Sequence, residues 1–208
     1  MTLLLNAIEK LKESEIKTLV DSRISEFKQK GKKSGNEIFK ELSFCILCAN
    51  YNAERGMKIQ EEINDGFLSF SRSELARKLK AIGYRYPNTR AGYILEARKF
   101  KNSLKKQMSS FENQIDLRDW LAKNITGFGL KESSHFMRNV GFTNCAIIDF
   151  HILDILAKWS LIEKPKTLTR KKYLEIEDVL RDIAKRSGLN LAELDLYLWY
   201  METGKVLK

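Results

Sequence analysis

Two residues in this chain have the types and spacing for joint amine and carboxylate chemistry. Lys131 follows the turn Gly127-Phe128-Gly129 in GFGLKESSH, and Asp149 closes the apolar run Ala146-Ile147-Ile148 eighteen positions later. A neutral lysine amine is a nucleophile and can form a Schiff base. The field at a helix start disfavours a cation, and partial burial acts the same way. A lysine in the first turn of a helix is therefore placed for attack; a solvated lysine or a phosphate contact is the other reading. A carboxylate nearby can stabilise a cationic transition state or carry protons. Asp149 also stands where the next helix begins. One of its oxygens can cap that helix while the other faces a cleft.

The two glycines before Lys131 permit a tight turn and close backbone approach. At a helix start they would expose N–H groups to an anion such as a DNA phosphate, a contact indifferent to base sequence. An ordinary helix–helix turn is the alternative. His135 lies on the same helical face as Lys131, and His151 lies two residues after Asp149. Two histidines among scattered acids lack the close spacing of a zinc site. His135 is expected to pack and His151 to support the helix start or a phosphate. Cys45 and Cys48 share a C-x-x-C spacing, but they sit in an apolar helical stretch with no second pair, so they read as core. Three cysteines, with Cys145 as the third, cannot supply a four-cysteine iron–sulfur cluster, and an odd, sparse set fits a reducing cytosol.

The elements that must hold these residues are helical. Apolar periodicity predicts helices over Leu3 to Lys28, Glu37 to Gln60, Arg90 to Ser109, Leu117 to Lys123, Leu130 to Val140, Asp149 to Trp159, Arg170 to Ser187 and Leu191 to Met201. Ser71 followed by Glu74 is a capping-box start for one more. Breaks fall at KQKGKKSGN, Asn64-Asp65-Gly66, GYRYPN and IEKPKTLT. No alternating strand pattern is present, so the fold class is all-α, with about ten helices.

The 208 residues suffice for one large domain or two small lobes around a crevice. Hydrophobic residues at 43% and charged residues at 31% give a packed core under a solvated surface. The net charge is +10 with a pI near 9.4, a balance suited to a polyanion, above all nucleic acid. No 18-residue apolar window exists, so no membrane partner is expected. MTLLLNAIEKLKESEI reads as an amphipathic helix and not as a signal peptide.

With its surroundings, the Lys131–Asp149 pair resembles the helix-hairpin-helix DNA glycosylase superfamily. The matching core is ITGFGLKESSHFMRNVG followed by AIIDFHILDIL. More narrowly, the chain is similar to the archaeal-type 8-oxoguanine DNA glycosylase/AP lyases, through ELSFCILCAN, GYRYPNTRAGYI and DLYLWYMETGKVLK as well, so the likeness covers most of the sequence.

The resemblance implies two helical lobes around a basic cleft, in one unit over 1–208. One lobe would come mainly from the central chain and the other from the N- and C-terminal segments, with the hairpin at about 118–140. It implies an enzyme that flips 8-oxoguanine out of duplex DNA, excises it, and cuts the abasic strand by β-elimination through a lysine Schiff base. Lys131 and Asp149 match the catalytic lysine and aspartate. Gly127 and Gly129 match the phosphate-binding turn. Phe44, Trp199 and Lys208 are candidates for the base pocket, and Arg85 and Tyr86 for contact with the orphaned cytosine. No metal or redox cofactor is implied. The expected state is a monomer on double-stranded DNA in the cytoplasm, associated with the nucleoid of a prokaryote. One departure stands out: Phe150 follows the aspartate where the family usually carries a basic residue. A non-catalytic DNA-binding hairpin and a monofunctional glycosylase for another lesion are the rival readings. A binding module needs neither member of the Lys–Asp pair, and monofunctional relatives lack the lysine.

Overall fold

The computed structural model describes residues 1–49 and 51–208. Thirteen α-helices and no strand occur among the described residues: α1 Thr2–Lys12, α2 Ile16–Lys32, α3 Gly35–Cys48, α4 Ala53–Ile63, α5 Gly66–Ser69, α6 Arg72–Ala81, α7 Pro87–Ala97, α8 Leu104–Ser109, α9 Gln114–Asn124, α10 Leu130–Asn139, α11 Phe150–Lys158, α12 Arg170–Arg186 and α13 Leu191–Thr203. Most starts carry the side chain that a helix N-terminus requires. Ser34, Asn52, Ser71, Asn113, Asp149, Thr169 and Asn190 each accept a backbone N–H from the first turn. The Ser71–Glu74 capping box forms as predicted, with Ser71 N–H donating to Glu74 at 2.8 Å.

Three predicted helices are pairs. The stretch from Leu3 to Lys28 divides between α1 and α2, and α2 then continues through Gly31, where the sequence reads as a loop. The reason is tertiary packing. The bare Cα of Gly31 lies against the Val140 carbonyl, where a Cβ would come within 2.1 Å of the oxygen. This glycine is therefore a helix–hairpin contact and not a break. The stretch from Glu37 to Gln60 divides between α3 and α4. It passes through position 50, outside the described residues, and Asn52 restarts it by accepting the Arg55 N–H at 3.0 Å. The stretch from Arg90 to Ser109 is α7, a 3-10 turn at Arg98–Phe100, and α8. Pro87 at the start of α7 fits the first turn, where no N–H is needed.

Among the described residues, the buried apolar side chains fall into three clusters. The largest joins α3 to α10, from Ile38 to Cys145, around Phe39, Leu42, Phe67, Ile94, Leu121 and Phe136. A second joins Leu4 and Ile8 of α1 to Ile148, Leu156, Ile176, Leu180 and Leu198. The third sets Val20, Ile24 and Phe27 of α2 against Leu196 and Tyr197 of α13. A chain of buried polar groups runs between these apolar bodies. Arg138 of α10 pairs with Asp195 of α13 and donates to Asn139 Oδ1 at 3.0 Å. Asn139 donates to Glu41 of α3 at 2.8 Å, and Glu41 accepts from Gln60 and Lys208, each at 3.1 Å. Such ionic groups need every partner, because an orphaned buried charge costs several kcal/mol.

Candidate active site

Helices α9 and α10 form a hairpin. Its turn is built by Gly127, whose φ of +87° few other residues adopt and whose missing side chain makes room for Tyr93: a Cβ would lie 2.6 Å from that ring. Arg90 stacks on the same ring at 5.4 Å, so α7 braces the turn from below. Gly129 differs. Its φ of −109° is open to any residue, and nothing lies closer than 3.5 Å to an added Cβ. Its N–H donates to Glu132 at 3.3 Å. An added Cβ at Gly129 would thus meet the Glu132 carboxylate at ordinary contact distance and nothing closer among the described residues.

Lys131 is the second residue of α10, and its amine pairs with Glu132 at 3.0 Å. Asp149 caps α11, its Oδ1 accepting the Ile152 N–H at 3.0 Å. The two meet in a cleft of about 890 Å³, lined also by Arg85, His135, Arg138, His151, Asp195, Trp199, Lys205 and Lys208. The sequence thus placed Lys131 and Asp149 at the starts of two helices, and the fold turns both starts toward one space. Cations outnumber carboxylates on its walls, with Arg55 and Glu54 completing the set.

The remaining candidates sit at different depths. Trp199 of α13 lines the cleft, edge-on to the His151 ring at 4.6 Å, and its buried indole N–H has no hydrogen-bond partner among the described residues. Phe44 is fully buried and stands outside the lining of the cleft, edge-on to His135 at 5.9 Å, with the Lys208 amine 4.2 Å from its ring centre. Arg85 lines the cleft and stacks over Tyr86 at 4.9 Å; Tyr86 itself is exposed and stands outside the lining. Phe150 is 63% exposed beside Asp149, its ring 3.9 Å from His151.

His135 and Asp195 have displaced pKa values. Burial, then the charges of Arg138, Lys131 and Lys208, push His135 well below the ordinary histidine value, so its imidazole is neutral at physiological pH. Burial raises Asp195 to about 6, against the pull of Arg138 and with the help of Asp149. The buried thiol of Cys48 is pushed up to about 12, and Cys45 also rises; both are free.

Sequence reasoning passed over Glu41, Arg138 and Asp195. Asp195 had a legible signal: an acid flanked by Leu194 and Leu196, ahead of the run Leu196 to Met201 that carries no charge, needs a partner if that face is buried. Glu41 and Arg138 fall in helices rich in other charges and had none.

The family model described as 8-oxoguanine DNA glycosylase matches residues 20–189. An 8-oxoguanine DNA glycosylase/AP lyase of Methanocaldococcus jannaschii is 56% identical over 207 residues, covering 99% of this chain and 100% of the relative. One from Korarchaeum cryptofilum is 51% identical over 206 residues, covering 99% and 98%. The solved structure of the M. jannaschii enzyme in complex with DNA containing 8-oxoguanine superposes with a TM-score of 0.96 at 56% identity, covering 99% of this chain and 100% of that one. The 8-oxoguanine DNA glycosylase of Thermotoga maritima superposes at 0.93, with 42% identity and 100% and 99% coverage.

Proposed function

The chain belongs to the 8-oxoguanine DNA glycosylase family, and from that premise we propose that it excises 8-oxoguanine from duplex DNA and cuts the abasic strand through a Schiff base on Lys131. The observation that carries the reading is the convergence of Lys131 and Asp149, from two helix starts, on one cation-rich cleft.

The target nucleotide must leave the base stack to reach that cleft. The Lys131 ammonium, freed from Glu132, gives up a proton to solvent, and the neutral amine attacks C1′. The C1′–N9 bond breaks, and its electron pair departs with the base, which takes up a proton. Opening of the sugar ring turns the adduct into an imine. The imine makes the C2′ proton acidic; its removal expels the 3′ phosphate and breaks the strand. The charge of Asp149 stabilises the cationic sugar while the base departs. Its cap bond to Ile152 holds one oxygen and leaves the other for this work.

Trp199 lines the base pocket, Phe44 backs its floor, and Lys208 reaches it from over the Phe44 ring. A phosphate would displace the Glu132 carboxylate from the Gly129 N–H and bind at the α10 start. Arg85 and Tyr86 face the orphaned cytosine. Phe150 meets the DNA with an aromatic ring where relatives would present a charge. The protein acts as a monomer of two lobes, with α1, α2 and α11–α13 forming the lobe opposite the central helices. Its location is the cytoplasm, with the nucleoid; no helix among the described residues is long and apolar enough to cross a membrane.

Borohydride trapping on a duplex with one 8-oxoguanine opposite cytosine tests the reading. The expected result is a covalent adduct that vanishes in Lys131→Gln, with duplex binding retained. Tight binding with no adduct from the unaltered chain would identify a binding module, and base release without an adduct a monofunctional enzyme.

A further inference from the structure

The segment from Asn144 to Ile148 that delivers Asp149 belongs to no helix and pairs with no strand. It is also buried from Cys145 to Ile148. Buried peptide groups must be hydrogen-bonded, and here one face of α12 supplies the partners. Tyr173, Glu177 and Arg181 are spaced four residues apart and so share that face. The Tyr173 hydroxyl donates to the Ala146 carbonyl at 2.7 Å and accepts the Ile148 N–H at 3.3 Å. Glu177 accepts the Ala146 N–H at 2.7 Å, and its carboxylate is held by Arg118 of α9 at 2.6 Å. Arg181 donates to the Asn144 carbonyl at 2.9 Å. From the other side, Gln114 accepts the Thr143 and Asn144 N–H groups at 3.1 and 2.8 Å. Side chains of a helix thus do for this strap what a neighbouring strand does in a sheet.

We infer that Tyr173 is a positioning residue for Asp149, its hydroxyl fixing the peptides on both sides of Ile147 and so the place where the aspartate enters the cleft. This rests on the catalytic role proposed for Asp149. The hydroxyl is suited to such a role, because burial holds its pKa well above the usual tyrosine value, so it keeps its proton and remains a donor. The ring is 4% exposed and packs with Ile148, Ile176 and Leu180 in the second cluster. Tyr173→Phe keeps that packing and removes only the oxygen that bridges the strap. A displacement of about 1 Å at a reacting group can cost roughly a hundredfold in rate.

The experiment is a double-mutant cycle on single-turnover base release from an 8-oxoguanine duplex, with duplex affinity measured in parallel. Tyr173→Phe should slow base release at least tenfold with Kd within twofold. In an Asp149→Asn background the same change should cost nothing further, because the group it positions is already gone. An equal loss in both backgrounds, no loss in the unaltered background, or a loss confined to affinity would each overturn the inference. If Tyr173→Phe fails to fold, Arg181→Met tests the same strap from its exposed end, with the same sign and the same dependence on Asp149. Should the unaltered protein release no 8-oxoguanine, the proposed function fails, a result distinct from an active protein indifferent to Tyr173.

Discussion

Lys208, which lines the cleft, and Glu41, 167 residues away in the chain, form an ion pair at 3.1 Å. Glu41 is almost completely buried, and Asn139 and Gln60 hold it as well. Removing one partner leaves the other unmatched. Glu41→Gln and Lys208→Met should each cost about 1.5–3 kcal/mol, and the double variant should cost less than their sum by about 1–3 kcal/mol. Urea midpoints measure this; strict additivity would show that the pair does not act as a unit.

Asp149→Asn should separate the two roles of that residue. Asparagine caps a helix as well as aspartate does, so the melting temperature should stay within a few degrees. Base release should fall by about 10²–10³, the usual loss when a charge aimed at the transition state is removed. Normal turnover would remove Asp149 from the mechanism.

The two turn glycines should behave differently. Gly127→Ala places a Cβ at positive φ and 2.6 Å from the Tyr93 ring, which should cost at least about 2 kcal/mol of stability. Gly129→Ala meets neither obstacle and should leave stability within about 0.5 kcal/mol, while weakening duplex binding by filling the approach to α10. Thermal melts paired with binding titrations decide it; equal losses of stability would show that the turn needs both glycines for its own geometry.

Glu132 holds both the Lys131 amine and the Gly129 N–H. A phosphate at this helix start must displace it. Glu132→Gln should therefore tighten duplex binding several-fold at low salt, with the gain shrinking as salt screens the site. Unchanged affinity at every salt concentration would place the phosphate elsewhere.

His135 links acidity to folding. Its pKa is depressed in the folded chain and near 6.5 in the unfolded one. Below about pH 6.5 the unfolded chain binds a proton that the folded chain does not. Stability therefore falls as pH drops, by at most about 1.4 kcal/mol per pH unit. Asp195 acts oppositely: with its folded pKa raised to about 6, it makes stability rise as pH falls from 6 toward 4. His135→Gln should remove the loss due to that residue, so that of the two groups only the opposing rise from Asp195 remains as pH falls from 7.5 to 5. Melting curves at pH 7.5, 6 and 5 check the sign; an unaltered pH slope would mean that His135 ionises in the folded state.

Much of this molecule could be read from its sequence, for identifiable reasons. The helix class follows from apolar periodicity, and the Lys131–Asp149 pair from a turn and a cap, both local signals. Gly31 misled because its partner, the Val140 carbonyl, lies far along the chain, so a packing contact looked like a break. Asn52 hid a helix start inside a continuous apolar stripe. Tyr173, Glu177 and Arg118 carried no signal at all: each looks ordinary in its own helix, and each acquires its role only where α9, α12 and the strap before Asp149 meet.

The division of the buried side chains bears on how the chain is made. Residues from Ile38 to Cys145 share one cluster, whereas Leu4 and Ile8 pack with Ile148, Leu180 and Leu198, up to about 190 positions later. On a ribosome adding about 5–20 residues per second, α1 waits roughly ten to forty seconds for α13 while the central helices already have their partners. Leu4 and Ile8 are thus made long before their partners, and the nascent chain carries an uncovered apolar stripe on α1 until α11–α13 follow.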